Sequence, residues 1–228
     1  MASNTKIILQ SRVGSTRYRG KMITDISGKS LLDRVLLRFE DAVGEPQILA
    51  IPDTSENDPL EEIASARNWD VFRGSEHDVL SRYAGAIRKF GVTKFIRATG
   101  DNPFTDQECV RQVIKALDNK VCARGISYPK GIAVAGAHAD ALLQANDETE
   151  DPYDREHVMP FIFSRPDRFS CQEIMCNVPN IGHYRLTVDT SDDVARARMI
   201  ISELGDNPNL AEIVALIDEK GIEPDHGA

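Results

Sequence analysis

The stretch Ile7-Ile8-Leu9-Gln10-Ser11-Arg12-Val13-Gly14-Ser15-Thr16-Arg17-Tyr18-Arg19-Gly20-Lys21 decides the reading of this chain. The apolar run predicts a short buried strand. It feeds directly into a loop with two glycines and the cations Arg12, Arg17, Arg19 and Lys21. Glycine lets backbone N–H groups turn toward a ligand without a Cβ in the way. Guanidinium forks and an ammonium then neutralise phosphate oxygens. This coincidence right after a first strand predicts a polyanion loop rather than a solvated basic turn. Two common phosphate loops fail on spacing. A Walker A loop has four residues between its glycines and a Ser or Thr after its lysine. Here five residues separate Gly14 from Gly20, and Met22 follows Lys21. No Gly-x-Gly-x-x-Gly dinucleotide fingerprint occurs.

Outward from the loop, apolar runs alternate with helical patterns, which predicts βαβ units and an α/β fold with a mostly parallel sheet. Strands are expected at 7–9, 48–51, 69–72, 94–98, 132–135 and 185–188. Helices are expected at 30–43, from a cap at Asp58, from Val79 to Phe90, and from a Thr105–Glu108 capping box. Further helices are expected at 137–146, at 155–163 with a break at Pro160, after Thr190, and at 209–220. The length of 228 residues suits one large domain, and the 41% hydrophobic content is ample for a core. No stretch approaches the ~18 apolar residues of a membrane span, and no signal peptide opens the chain, so a cytoplasmic protein without a membrane partner is expected. The four cysteines form no Cys-x-x-Cys pair, which argues for a reducing compartment and against zinc. Net charge is −9, yet residues 1–40 carry +5. A basic loop on an acidic protein suits a small anionic ligand and excludes a general nucleic-acid binder.

Two carboxylates follow expected strands. Asp101 lies in Arg97-Ala98-Thr99-Gly100-Asp101-Asn102-Pro103-Phe104, and Asp189 in Arg185-Leu186-Thr187-Val188-Asp189-Thr190. Ligands of open α/β sheets sit beyond the carboxyl ends of strands. A carboxylate beside a triphosphate suits Mg²⁺, although Gly-Asp-Asn-Pro also favours a turn by itself. Asp192 and Asp193 read as first-turn helix residues, with Asp193 a cap where Asn would serve nearly as well.

These segments carry a resemblance. The loop resembles the Arg-x-Gly-Ser-x-Arg-Leu-Pro-Gly-Lys loop of sugar-activating nucleotidyltransferases, with Tyr18-Arg19 in place of Leu-Pro. The chain is similar over most of residues 6–200 to the spore-coat polysaccharide type of cytidylyltransferase, related to the enzymes that make CMP-linked sialic acids and Kdo. Arg97–Phe104 resembles that family's Arg-Ile-Thr-Gly-Asp-x-Pro, and Thr187–Asp193 its Thr-Val-Asp-Thr-Pro-Glu-Asp. Phe72-Arg73-Gly74-Ser75-Glu76-His77-Asp78-Val79-Leu80-Ser81-Arg82-Tyr83 and Asp151-Pro-Tyr-Asp-Arg155-Glu156-His157-Val-Met-Pro160 match two further segments.

The resemblance implies a single nucleotidyltransferase domain over 1–228. Its fold would be Rossmann-like, of the nucleotide-diphospho-sugar transferase type. It also implies a small dimerisation and acceptor subregion at about 120–150, with Ile126, Ile132, Val134, Leu142 and Leu143 near the axis of a homodimer. The implied reaction transfers CMP from CTP to an anionic acceptor, with Mg²⁺ on Asp101 and Asp189 and release of pyrophosphate. Arg12, Lys21, Asp101 and Asp189 are the implied catalytic residues. Gln10, Arg12, Gly14, Ser15, Arg17, Lys21, Ala50, Arg73, Ser75, Thr99 and Asp101 would bind the nucleotide. Tyr128, Lys130, Arg155, His157 and Arg185 would bind the acceptor. One departure stands out. After Tyr128-Pro129 the family reads Asp-Gly-Leu-Asp-Val-Glu-Val-Phe, where this chain has Lys130-Gly131-Ile132-Ala133-Val134-Ala135-Gly136. The lost acids and added lysine suit a more anionic acceptor. A nucleotide-sugar glycosyltransferase is the alternative within the fold class, but no Asp-x-Asp motif occurs. A catalytically silent nucleotide-binding module is the other alternative.

Overall fold

The first strand, β1 (Thr5–Gln10), is buried on both faces, which is why its apolar run is unbroken. Ile7 and Leu9 join the core on one side of the sheet and Ile8 the core on the other. The structure is a computed structural model describing residues 4–14, 18–179 and 181–222. From β1 the chain passes through a short hairpin, β2 (Asp25–Ile26) and β3 (Lys29–Ser30). The residues between its strands, Ser27 and Gly28, both have positive φ, as a tight hairpin turn requires. Ser30 then caps α1 (Leu31–Val43), accepting from Asp33 N.

The chain continues through β4 (Ile48–Pro52), α2 (Asp58–Ser65), β5 (Asp70–Gly74), α3 (Val79–Phe90) and β6 (Lys94–Thr99). Then come α4 (Gln107–Ala116), β7 (Cys122–Ile126), β8 (Ala135–His138), α5 (Ala139–Glu148), α6 (Pro152–His157) and α7 (Pro160–Phe163). Last are β9 (Cys171–Met175), α8 (Ser191–Leu204) and α9 (Leu210–Glu219). The seven-stranded sheet runs β5-β4-β1-β6-β8-β7-β9. Strand β8 is antiparallel to both neighbours, and the other pairings are parallel. The α1, α2, α4, α8 and α9 side chains pack one face, while α3, α5 and α7 pack the other. The order reverses between β1 and β6. Successive connections lead from β1 outward to β4 and β5, and then back to β6 on the far side. Such a switch point opens a crevice at the strands' carboxyl ends. Among the described residues no helix is long and apolar enough to cross a membrane.

Several expectations shift. The strand expected at 69–72 starts at Asp70. The one expected at 132–135 begins only at Ala135, because the Ile132 carbonyl accepts from Asp106 N instead of joining a ladder. Residues 185–188 make a single bridge, Lys130 to Arg185, rather than a strand. Strands β7 and β9 were not anticipated. Their sequences, Cys-Ala-Arg-Gly-Ile and Cys-Gln-Glu-Ile-Met, lack an apolar run because Arg124, Gln172 and Glu173 stay partly in solvent. Asn57 rather than Asp58 precedes α2, and Asp106 rather than Thr105 caps α4. The break at Pro160 is as expected, with Val158 at φ 71 between α6 and α7. Within 120–150, Ile132, Val134 and Leu142 are buried in the chain's own core, so they are not available to a dimer axis. All four cysteines are free.

Tyr83 of α3 ties the switch point together. It is fully buried, and its hydroxyl donates to Ile8 O at 2.9 Å and to Ala98 O at 3.2 Å, bridging β1 and β6. Burial pushes its phenol up to about 12. A folded-state value above the unfolded ~10 means that this contribution is intact below pH 10 and is lost as pH rises toward 12. Chemical denaturation at pH 9 and pH 11 should therefore show a loss of stability that is smaller in Tyr83→Phe. The difference should approach ~1.4 kcal/mol per pH unit, the effect of one proton.

Candidate active site

Lys21 is the centre of the site. Gly20, at φ 74, turns the chain into the single helical turn Lys21–Ile23. Asn57 braces the loop from below, its Oδ1 accepting from Val13 N at 3.0 Å. The Lys21 side chain is then directed inward, with only 9% of it exposed. Its ammonium donates to Asp189 Oδ1 at 2.7 Å, to Val188 O at 2.9 Å and to Asp101 Oδ2 at 3.4 Å. The two carboxylates singled out in the sequence thus meet at one cation. A backbone bond from Val188 N to Asp101 O, 2.9 Å, ties their segments together.

Asp189 is almost fully buried and is held from behind. Its Oδ2 accepts from Arg185 Nη1 at 3.2 Å and from Thr187 Oγ1 at 3.3 Å. Arg185 also reaches Asp193, whose Oδ2 accepts from Asp189 N at 2.8 Å and from Thr190 N at 2.9 Å. Asp193 and Thr190 form the capping box of α8. Asp193 does more than cap, which corrects the simpler reading. It is 2% exposed and pairs with both Arg185 and Arg196, so a buried charge network ends on it. Asp101 differs from Asp189 in keeping 30% of its side chain open.

A cleft of about 550 Å³ opens over these groups at the β1–β6 switch point. Gln10, Arg12, Lys21, Thr99, Asp101, His157 and Asp189, all singled out in the sequence, line it. So do Ser11, Arg82 and Arg97, which were not assigned roles. Arg82 and Arg97 lay inside matched segments, but no spacing rule pointed them at a ligand. Four polar atoms of the lining are buried without a hydrogen-bond partner: Gln10 Oε1, Ser11 Oγ, Arg82 Nε and Arg97 Nε. Natural interiors leave few such atoms unsatisfied, and a cluster of them in a cleft marks a polar ligand's seat. Gly100 is needed for close approach. A Cβ there would stand 2.7 Å from Met22 Cε and 2.8 Å from Ser11 Oγ.

Other sequence-selected residues have different surroundings. Ser15 and Arg17 lie outside the described residues. Gly14 is beside Glu56, its Cβ position 3.8 Å from the carboxylate. Ala50 is buried within the core, with its carbonyl accepting from Ser11 N. Arg73 pairs with Asp58 and Glu61, and these bonds raise its pKa. Ser75 is exposed and accepts from Asp78 N, while Asp78 itself caps α3. Tyr128 packs beside Cys109 against the core on the α4 side of the sheet, where burial raises its phenol pKa. Lys130 is exposed and uses its backbone to hold Tyr184 and Leu186. Arg155 is fully engaged, with Asp78 at 2.6 Å and the Asn146 and Thr149 carbonyls, and so locks α6 to α3. These contacts give Ala50, Arg73, Ser75, Tyr128 and Arg155 structural work outside the cleft lining. Arg185 acts on the cleft through Asp189.

The donor set suits a hard divalent cation. Both carboxylates already lie within 3.4 Å of one ammonium nitrogen, so the point is built for positive charge. Among the described residues no cluster of three or more His, Cys, Asp or Glu is placed to hold a metal. Mg²⁺ commonly takes one or two carboxylates and completes its shell with water and phosphate oxygens, which is what two carboxylates beside a phosphate loop allow.

Replacing Asp193 tests the support behind Asp189. Asp193→Asn keeps a cap acceptor but removes the charge facing two buried guanidinium groups. A loss of about 1–3 kcal/mol is expected by urea denaturation, the cost of unsatisfied charged hydrogen bonds. A change under about 0.5 kcal/mol, normal for an exposed cap exchange, would return Asp193 to a simple capping role.

With this geometry the comparisons with known proteins agree. Residues 6–216 match the family described as cytidylyltransferase. The chain is 30% identical over 229 residues to the spore coat polysaccharide biosynthesis protein SpsF of Bacillus subtilis (strain 168), covering 92% of each. A solved cytidylyltransferase from Leptospira borgpetersenii serovar Hardjo-bovis shares the fold at TM-score 0.89 and 24% identity, over 96% of this chain and 95% of that one. A solved CMP:2-keto-3-deoxy-manno-octonic acid synthetase complexed with CTP shares it at TM-score 0.67 and 16% identity, over 88% and 99%. The matched span takes in Lys21, Asp101 and Asp189 alike, and the chain belongs to the cytidylyltransferase family.

Proposed function

We propose that this protein is a Mg²⁺-dependent cytidylyltransferase that joins CMP from CTP to an oxygen of a small anionic acceptor and releases pyrophosphate. The observation that carries the reading is the Lys21 ammonium between Asp101 and Asp189 at the carboxyl ends of β1 and β6. In the ligand-free arrangement Lys21 neutralises both carboxylates. Beside a triphosphate, Lys21 and Arg12 neutralise β- and γ-phosphate oxygens and stabilise the leaving pyrophosphate. Asp101 and Asp189 are the residues that would hold Mg²⁺, whose charge would offset that of the α-phosphate when bound.

The remaining work is positioning. The acceptor oxygen forms a bond to the α-phosphorus, and the bond to the bridging oxygen breaks. Pyrophosphate departs with that electron pair, and the acceptor's proton passes to solvent. Gln10, Ser11 and Thr99 line the floor on which the reacting groups meet. Alignment of bound groups and fixed charges supplies the rate, with no covalent nucleophile required. The lack of an Asp-x-Asp motif disfavours the glycosyltransferase alternative. The pairing of part-open Asp101 with buried Asp189 in the lining of the cleft disfavours a silent nucleotide-binding module.

CTP with Mg²⁺ should stabilise the protein against heat more than ATP or GTP does. At saturating ligand the shift should be of order ~2–4 kcal/mol. Equal stabilisation by all the nucleotides would leave only a generic phosphate site.

Asp101→Asn keeps size and removes one anionic oxygen. Pyrophosphate release in the presence of CTP and acidic acceptors should fall about 10²–10³-fold in kcat, with much less change in CTP affinity. Folding should be affected little, since this carboxylate is part-open and its Lys21 contact is long at 3.4 Å. Near-normal turnover of Asp101→Asn with Mg²⁺ limiting would overturn the metal assignment.

A further inference from the structure

Lys21 answers the carboxylates in the way a metal ion does. Its ammonium meets three oxygens, Asp189 Oδ1 at 2.7 Å, Val188 O at 2.9 Å and Asp101 Oδ2 at 3.4 Å. Carboxylates and a carbonyl are the donor types that hard divalent cations take. An ammonium has three N–H donors, and this shell of oxygens uses all of them. The other oxygen of Asp189 is engaged as well, by Arg185 and Thr187. Lys21, Arg185 and Arg196 thus answer Asp101, Asp189 and Asp193 in one connected network.

A divalent ion cannot simply be added to this arrangement. It needs the oxygens that Lys21 holds, and it would share the pocket with a like charge. Repulsion of that kind is poorly screened there, where the Lys21 side chain is 9% exposed and that of Asp189 4%. The ammonium has to leave first, and its departure requires another anion within reach. The Lys21 backbone is anchored, its N donating to Tyr18 O at 3.3 Å and its O accepting from Thr24 N at 3.1 Å. The four-carbon stem is flexible and its donors rotate. The cleft of about 550 Å³ that Lys21 lines gives the stem room to turn. A phosphate oxygen in that cleft supplies the counter-charge that draws the ammonium out.

We infer that Lys21 is an internal placeholder for the divalent ion. It blocks metal uptake by the ligand-free protein and yields the carboxylates once a nucleoside triphosphate engages its ammonium. The inference rests on the Mg²⁺ and CTP chemistry proposed for this site. The cation site then comes into being with the nucleotide rather than before it. The buried Asp189 is never left without a counter-charge, because one cation replaces another. The coupling is reciprocal, so the metal tightens the nucleotide by the same factor.

Mn²⁺ binding by the full chain is read from the loss of the free-ion electron paramagnetic resonance signal, first without nucleotide. Lys21→Met keeps an unbranched stem and removes the charge. It should bind Mn²⁺ about tenfold or more tightly than wild type, the scale of one released close ion pair. Mn²⁺ should also raise its thermal midpoint more than that of wild type. Lys21→Gln reads the same gain and keeps the test open if Lys21→Met does not fold, since its amide retains a donor for Asp189. Arg12→Met removes a charge from the same cleft without uncovering either carboxylate, so its Mn²⁺ affinity should stay near that of wild type. Adding Asp101→Asn to Lys21→Met should abolish the gain. No gain in either Lys21 variant, an equal gain in Arg12→Met, or a gain that survives Asp101→Asn overturns the placeholder role. Wild type with CTP should take up Mn²⁺ beyond what CTP alone holds. If it does so while neither Lys21 variant gains, the CTP reading stands and the placeholder role fails. If it does not while Lys21→Met gains, the block by Lys21 stands and the CTP reading fails.

Discussion

One buried ammonium organises the functional half of this molecule. Lys21 comes from the loop after β1, Asp101 from the loop after β6, and Asp189 from the segment before α8. Lys21 and Asp189 are nearly closed off from solvent, and Asp101 is part-open. An uncompensated buried charge costs several kcal/mol, so Lys21 and Asp189 require each other, and Asp101 adds a longer contact. The result is a site whose electrostatics are balanced without a ligand and can be rebalanced when one arrives. The balance extends backward through Arg185 to Asp193 and Arg196, and this fixes the start of α8 relative to the cleft.

Close backbone approach is the second constraint. The loops carrying the two carboxylates can meet only because small residues line their junction. A Cβ on Gly131 would come within 2.7 Å of Thr187 Cγ2 and 2.9 Å of Thr187 N. Gly100 plays the matching part against Met22 and Ser11. The same junction tolerates unsatisfied polar atoms on Gln10, Ser11, Arg82, Arg97 and Asn102. Rule-breaking of this kind is concentrated where a protein binds something, because the missing partners belong to the ligand.

Legibility followed burial. Strands β1, β4 and β6 were visible as apolar runs because both of their faces are covered. Strands β7 and β9 were hidden because they alternate with polar residues that remain partly in solvent. The helix ends at Val43 and Phe90 and the break at Pro160 could be read from local chemistry. The caps at Asn57 and Asp106 were displaced by one residue, since neighbouring Asp and Thr offer equivalent local signals.

The sequence by itself determined the phosphate-compatible loop, Asp101 at the end of β6 and the α/β class with a mostly parallel sheet, because each rests on contacts between near neighbours in the chain; the strand expected before Asp189 is only a single bridge. Only the tertiary structure decided which charges are already spent. Arg73, Arg155 and Arg185 read in sequence like ligand-binding arginines, yet all three are paired within the protein. Arg97, unremarked within its motif, faces two cavities with its buried Nε unpartnered. The physical reason is that a charge's role depends on its counter-charges, and these come from segments as distant as Lys21 and Asp189. No local pattern encodes that distance, and the folded sheet alone brings such groups together.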